Sequence, residues 1–228
     1  RAQMFRYTNS FKEARFLRAY FYFNLVRAYG DVPYFTEMVT TDQVNSLTRT
    51  PAQEIFNAII AECDKLSTEL PADYTKLGLD GIAPAENGRV TCYAALALKA
   101  RAALYAASPL FNPENNKDLW RRAAEANKEV IETCTANGFK LSKYSELWGP
   151  NNWSNNEMIF VRRYNGNIST LEEYNFPMGV PGGNSGNCPT QNMVDAYEMK
   201  ATGKMWNETG SGYDASNPYA GRDPRFDM

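Results

Sequence analysis

Two tryptophans, Trp148 and Trp153, bracket a run of amides in "ELWGPNNWSNNEM". Indole rings stack on flat apolar faces, and the amides of Asn151, Asn152, Asn155 and Asn156 both donate and accept hydrogen bonds. Gly149-Pro150 breaks the segment, so these groups belong to a loop. Trp206 and Tyr213 form a second candidate in "KMWNETGSGYDASNPY", which has neither helical nor strand periodicity. Tyr164 is a third, at the end of "EMIFVRRY", the one stretch that reads as a strand. Two roles stay open for each ring: stacking on a ligand, or pinning a loop to the scaffold. Trp120 differs. It falls on a helical stripe with Ala124, Asn127, Ile131 and Cys134, which assigns it to the core.

Other chemistries are poorly served. Histidine is absent, which removes Ser-His-Asp and Cys-His catalysis, histidine metal ligation and the usual proton shuttle. Cys63, Cys92, Cys134 and Cys188 form no CxxC pair and no zinc spacing, and the first three lie in helical patterns as buried free thiols. "NPENNKDLW" alternates Asn112, Glu114, Asn116 and Asp118, but lacks the glycine and closing glutamate of a calcium loop. "PGGNSGNCP" is glycine-rich without the lysine and strand-turn-helix context of a phosphate cradle. No metal site and no cofactor is expected. Paired carboxylates for glycoside hydrolysis need no histidine, and Glu157, Glu172 and Glu173 are available, though spacing alone shows no working pair. Lys plus Arg (24) nearly balances Asp plus Glu (26), so no global field points to nucleic acid.

These loops need a scaffold, and helices supply it. The 228-residue chain is 43% hydrophobic and 22% charged, the balance of a folded globule of one or two domains. A first helix is predicted from about Ser10 to Tyr29, stopped by Gly30 and Pro33. Phe16, Ala19, Tyr20 and Phe23 share one of its faces, while Phe21, Tyr22 and Leu25 cover much of the other. A helix apolar nearly all round is expected to lie between neighbours on several sides. Glu13, Asn24 and Arg27 fall on its narrow polar strip. Its run is too often interrupted by Arg18, Asn24 and Arg27 to span a bilayer. A second helix starts at Thr50-Pro51 with Thr50 as N-cap, and carries Ile55, Ile59, Cys63, Leu66 and Leu70 at helical spacing. The third, from Thr91 to about Ala107, is rich in alanine, so neighbouring backbones can approach closely. The fourth, "DLWRRAAEANKEVIETC", ends at Gly138. The fold class is therefore mainly α, with tetratricopeptide-like helical hairpins, a loop-rich face and little β-structure. Residues 1–138 form the helical scaffold, and 139–228 a loop-rich segment with a short strand and a short helix, "TQNMVDAYEM", in the same fold unit.

"EARFLRAYFYFNLVRAYGDVPYFTE" resembles the most recognisable segment of the SusD/RagB family almost residue for residue. "GRVTCYAALALKARAALYAASPLFNP" resembles that family's next helix, with its entering Gly-Arg, and "NEMIFVRRY", "PTQNMVDAYEMKATGK" and "GRDPRF" follow in the expected order. The resemblance implies a non-catalytic, surface-exposed, lipid-anchored protein of the outer membrane that takes part in polysaccharide utilisation. Such proteins capture oligosaccharides for a SusC-like TonB-dependent transporter. It also implies that this chain is the central part of a longer one, without the N-terminal lipid-bearing cysteine or the C-terminal region. Sugars have apolar C–H faces and hydroxyl rims, so the implied ligand-binding residues are Trp148, Asn151, Asn152, Trp153, Tyr164, Trp206 and Tyr213. Two alternatives remain: a scaffold of helical hairpins that binds protein partners, and a glycoside hydrolase.

Overall fold

The computed structural model describes residues 2–74, 88–148, 152, 155–162 and 174–226, and the side chains among them except those of residues 2–7 and Trp148. The chain forms two compact units, Arg1–Arg163 and Tyr164–Met228. The first is helical: α1 (Ala2–Tyr29), the short α2 (Thr41–Val44), α3 (Ala52–Glu69), α4 (Cys92–Ala107) and α5 (Lys117–Ala136). The described residues of the second carry α6 (Gln191–Asp195) and the 3-10 turn Pro224–Phe226. Among the described residues there is no β-strand, only the isolated bridges Val32–Thr50 and Met199–Arg222. The mainly α, hairpin-built class expected from the sequence is what the structure shows.

The long helices pack in chain order, α1 on α3, α3 on α4, and α4 on α5. Each pair is antiparallel, as its end contacts show. Arg15 of α1 reaches Glu62 and Glu69 late in α3, while Asp31 just after α1 meets Ala52 at the start of α3. Gln53 early in α3 donates to the carbonyls of Ala106, in the last turn of α4, and Phe111, just beyond it. Tyr93 at the start of α4 packs on Phe139 just past α5, ring centroids 4.9 Å apart.

Alanine determines the middle of this stack. Ala94, Ala95, Ala102, Ala103, Ala106 and Ala107 of α4 are buried, so α3 and α5 approach that helix closely from opposite sides. From α3 come Ile55, Phe56, Ile59, Cys63 and Leu66, all within 1% of complete burial. From α5 come only Ala123, Ala126 and Cys134 as fully buried side chains, with Leu119 and Val130 at the margin. This corrects the stripe drawn from sequence. Trp120 lies 37% exposed and Ile131 65%, and the indole Nε1 donates to Asn115 Oδ1 at 3.2 Å. The contact face of α5 is its neighbouring row of small residues, because only alanines fit close against the alanine face of α4.

Three further expectations shift. α1 begins at Ala2 rather than near Ser10, and among the described residues its helical neighbours, α3 and α4, cover one side. Phe16, Ala19, Tyr22, Phe23 and Val26 are buried, whereas Leu17, Phe21 and Leu25 stand exposed on the opposite side. Thr50 is not the cap of α3. Asp31 Oδ1 accepts the Ala52 N–H at 2.7 Å from across the sequence, and Thr50 pairs its own N–H with the Val32 carbonyl. The predicted strand also fails over 157–162, which is turn and bend, with no second strand to bond it. Its Phe160 packs edge-on against Phe16 of α1 at 5.4 Å. That ring contact, rather than strand pairing, ties this stretch to the helices. The rest of "EMIFVRRY", including Tyr164, lies outside the described residues.

Two of the family-like motifs meet inside this scaffold. Arg89, from the Gly-Arg entering α4, binds Glu13 of α1 through two bonds of 2.7 and 2.6 Å. Tyr74 closes the cluster with its hydroxyl on Val90 O and near Glu13, and burial first, then the Glu13 charge, raises its pKa. The alternating polar residues of "NPENNKDLW" turn to loop closure. Buried Asn112 donates to Ala107 O and Asn116 O, and Asn116 Oδ1 caps α5 by accepting the Asp118 N–H.

Replacing Asp31 with alanine should lower stability by about 1 kcal/mol, the usual cost of a lost N-cap. A thermal melt reads this as a drop of about 2–4 °C; Thr50→Ala, removing the cap suggested by sequence, should move it less. The thiols separate equally clearly. Cys63 is fully buried and its pKa is pushed up to about 12, so no thiolate forms near pH 8. Cys188 is exposed and should react promptly with a thiol reagent, while Cys63 should react only once the protein unfolds.

Candidate functional site

In the first unit, the loop after α5 is built by its own amides and carboxylate. Ser142 N–H donates to Glu157 at 2.8 Å, and Ser142 Oγ bonds Asn155 Oδ1 at 2.7 Å. The same Asn155 oxygen accepts the Glu157 N–H at 2.8 Å. Asn155 is thus a turn former rather than a free amide, and Glu157 a staple rather than an isolated acid. Glu172 and Glu173, the other two carboxylates considered, lie outside the described residues. Asn152 is half-buried, and its carbonyl accepts the Asn155 N–H at 3.0 Å. Trp148 ends the 3-10 turn Tyr144–Trp148. Its side chain, and all of Asn151, Trp153 and Tyr164, are outside the described residues.

In the second unit, the structure brings Trp206 and Tyr213 together. Their ring centroids lie 5.4 Å apart at 61°, an edge-to-face pair, and both residues are half-buried. The backbone between them is folded by side chains that act locally. Glu208 accepts the Met205 N–H at 3.0 Å, and Lys204 Nζ donates to Thr209 O at 2.9 Å. Buried Ser211 donates its hydroxyl to Trp206 O at 3.1 Å and accepts the Tyr213 N–H at 3.3 Å. Gly210 and Gly212 flank that serine with φ of 74° and 81°, a left-handed course that side chains disfavour. At the neck of this loop the Met199–Arg222 bridge joins the two ends, with Lys200 N–H on Gly221 O and Asp223 N–H on Glu198 O.

Two features were not singled out by sequence reasoning. Arg222 is 2% exposed, with its guanidinium 5.2 Å from the Tyr213 ring centroid. Tyr219 is exposed and stacks on Phe226 at 5.9 Å and 19°, while Phe226 in turn meets Tyr197 edge-on. Both arise in and beside "GRDPRF", whose charges read as surface groups unless the fold is known.

Another recess lies among α3, α4 and α5, about 280 Å³, lined by Ile60, Asp64, Lys99, Arg122, Glu125 and Glu129. Its charges are largely engaged with each other: Lys99 bridges Asp64 and Glu129, and Arg122 donates to Asn57. It has no aromatic wall and does not suit stacking. Among the described residues, no group of His, Cys, Asp and Glu could hold a metal ion, and no helix is long and apolar enough to cross a membrane.

Residues 3–104 match a family described as SusD-like, starch-binding and associating with the outer membrane. The chain is 25% identical to the SusD-like protein P25 of Formosa agariphila, across 94% of its own length and 40% of that relative. Its fold resembles a SusD-like carbohydrate-binding protein of Bacteroides fragilis with a TM-score of 0.73 and 28% identity, covering 96% of this chain and 39% of that one. A second SusD-like protein of the same species gives a TM-score of 0.71, also at 28% identity, covering 94% and 41%. The family model, the curated relatives and these solved structures are all SusD-like, which supports the resemblance to the SusD/RagB family. The chain spans about two fifths of the length of these relatives.

Proposed function

We propose that this chain is part of a non-catalytic glycan-binding protein of the bacterial outer surface, which passes oligosaccharides to a SusC-like TonB-dependent transporter. The observation that carries this reading is the Trp206–Tyr213 pair, two rings held at 5.4 Å on a loop that hydrogen bonds keep in shape, within a family described as starch-binding. Rings of this kind stack on the C–H faces of sugars, and neighbouring Asn207 and Asp214 supply polar groups for hydroxyl rims. Neither role needs histidine, metal or cofactor. Trp148, Asn151, Asn152, Trp153 and Tyr164 belong to the same reading as further ligand contacts. The full-length protein would be held at the surface by an N-terminal lipid lying outside this sequence.

The test uses the full-length protein in affinity electrophoresis through gels containing starch, β-glucan, xylan, mannan or pectin. At least one polysaccharide should retard it, and Trp206→Ala should weaken that retardation about tenfold, the scale of a lost ring contact. Retardation by none of them would overturn the reading. Release of reducing ends from the retarding polysaccharide would instead favour a hydrolase.

The scaffold alternative draws on the exposed Leu17, Phe21 and Leu25 face of α1. Its signature would be unchanged glycan binding after Trp148→Ala, Trp153→Ala and Trp206→Ala are combined. If the glycan-binding reading holds, that triple variant should lose retardation while its melting temperature stays close to that of the parent protein.

A further inference from the structure

Arg222 is a buried cation with an unusual set of partners. Its Nε donates to Pro218 O at 3.1 Å and its Nη1 to Tyr197 O at 2.9 Å. Among the described residues no carboxylate pairs with it, because the adjacent Asp223 is engaged by Arg225 through two bonds of 2.8 Å. A charge taken out of water is costly unless something polar replaces the hydration. Here two carbonyl dipoles do so, and the π face of Tyr213 lies over the guanidinium at 5.2 Å. The ring and the cation therefore hold each other.

This fixes more than a contact. Ser211 holds the Tyr213 backbone, but a peptide N–H bond leaves χ1 and χ2 of the ring free. Arg222 occupies one ring face, Trp206 sets the inclination at 61°, and only the remaining surface of the ring is left for a ligand. The arginine is itself tethered, since its backbone forms the Met199 bridge and its fork is bonded at two points. Lysine cannot reproduce this arrangement. Its point charge has no planar fork with which to span two carbonyls and lie against a ring.

We propose that Arg222 is the positioning residue of the stacking site, setting the orientation of Tyr213 through the ring without touching the sugar. The inference rests on the reading of Trp206 and Tyr213 as the sugar-stacking pair. It is tested by a double-mutant cycle in the full-length protein, using the most strongly retarding polysaccharide of the five. Arg222→Lys should weaken binding about tenfold, the scale of a desolvated cation–ring contact. In a Tyr213→Ala background the same change should have no further effect, because the ring through which it acts is gone. An equal loss in both backgrounds, or no loss in either, would overturn the proposal.

If Arg222→Lys does not melt cooperatively, Arg222→Met, which keeps an unbranched stem and removes the charge, enters the same cycle. Failure of both to fold would show that the arginine holds the loop and not the ring, and would also overturn it. The unliganded protein supplies an independent readout. Arg222→Lys should shift the emission of Trp206 and increase its quenching by acrylamide, scored against Trp206→Phe; an unchanged emission counts against the proposal. If Trp206→Ala and Tyr213→Ala both leave binding intact, the stacking reading falls, while the emission still reports whether Arg222 orders the ring.

Discussion

The close approach that alanine permits in α4 is the constraint on which the helical unit depends. A helix flanked on opposite sides by two others must bury both flanks, and large side chains on both would hold the axes apart. With Ala94, Ala95, Ala102, Ala103 and Ala106 in that position, the bulk of the core comes from α3 and α1. Phe23 accordingly meets Tyr105 at 5.2 Å, and Phe56 meets Phe111 at 5.0 Å, sealing the ends that alanine leaves thin. The same constraint pushes Trp120 out of the interface, since an indole has no room where two alanine rows face each other.

Around that core the polar residues act chiefly as ties between elements distant in sequence. Asp31 caps α3, Arg89 grips Glu13, Arg15 joins two glutamates of α3, and Gln53 takes two carbonyls at and just past the end of α4. Hydrogen bonds to charged groups and to orphan helix ends are worth more than those on an open surface. The stretches that resemble the family most closely are therefore the ones that lock its hairpins. In the second unit, whose described residues include little regular structure, a neck bridge, a buried serine and a buried arginine replace the helix ladder as the source of order.

Much of this architecture was legible in advance. The helices α3, α4 and α5, the stops at Gly30 and Gly138, and the buried Cys63 follow from local periodicity and from φ values of 70° and 88° at the two glycines. Trp206 and Tyr213 could be chosen as candidates because a segment without periodicity gives its aromatics no core to join. Their pairing could not be read, since a loop's path depends on hydrogen bonds such as Ser211 to Trp206 that have no sequence period. Over 157–162, the described part of the expected strand, the chain is turn and bend, and Phe160 meets Phe16 of α1. A short apolar run reads the same way in either setting.

The amino-acid sequence alone determined the helical class, the order of the hairpins and the resemblance to a family, because helix periodicity and capping are local and short motifs survive divergence. Tertiary structure decided which of two adjacent rows on α5 is buried, which side of α1 stays exposed, and which distant carboxylate caps α3. Each of those outcomes is set by what lies opposite in space. The role of Arg222 belongs to the same group: in the sequence it is one charge in "GRDPRF", and only burial beside Tyr213, with Asp223 already taken by Arg225, makes it the partner of a ring.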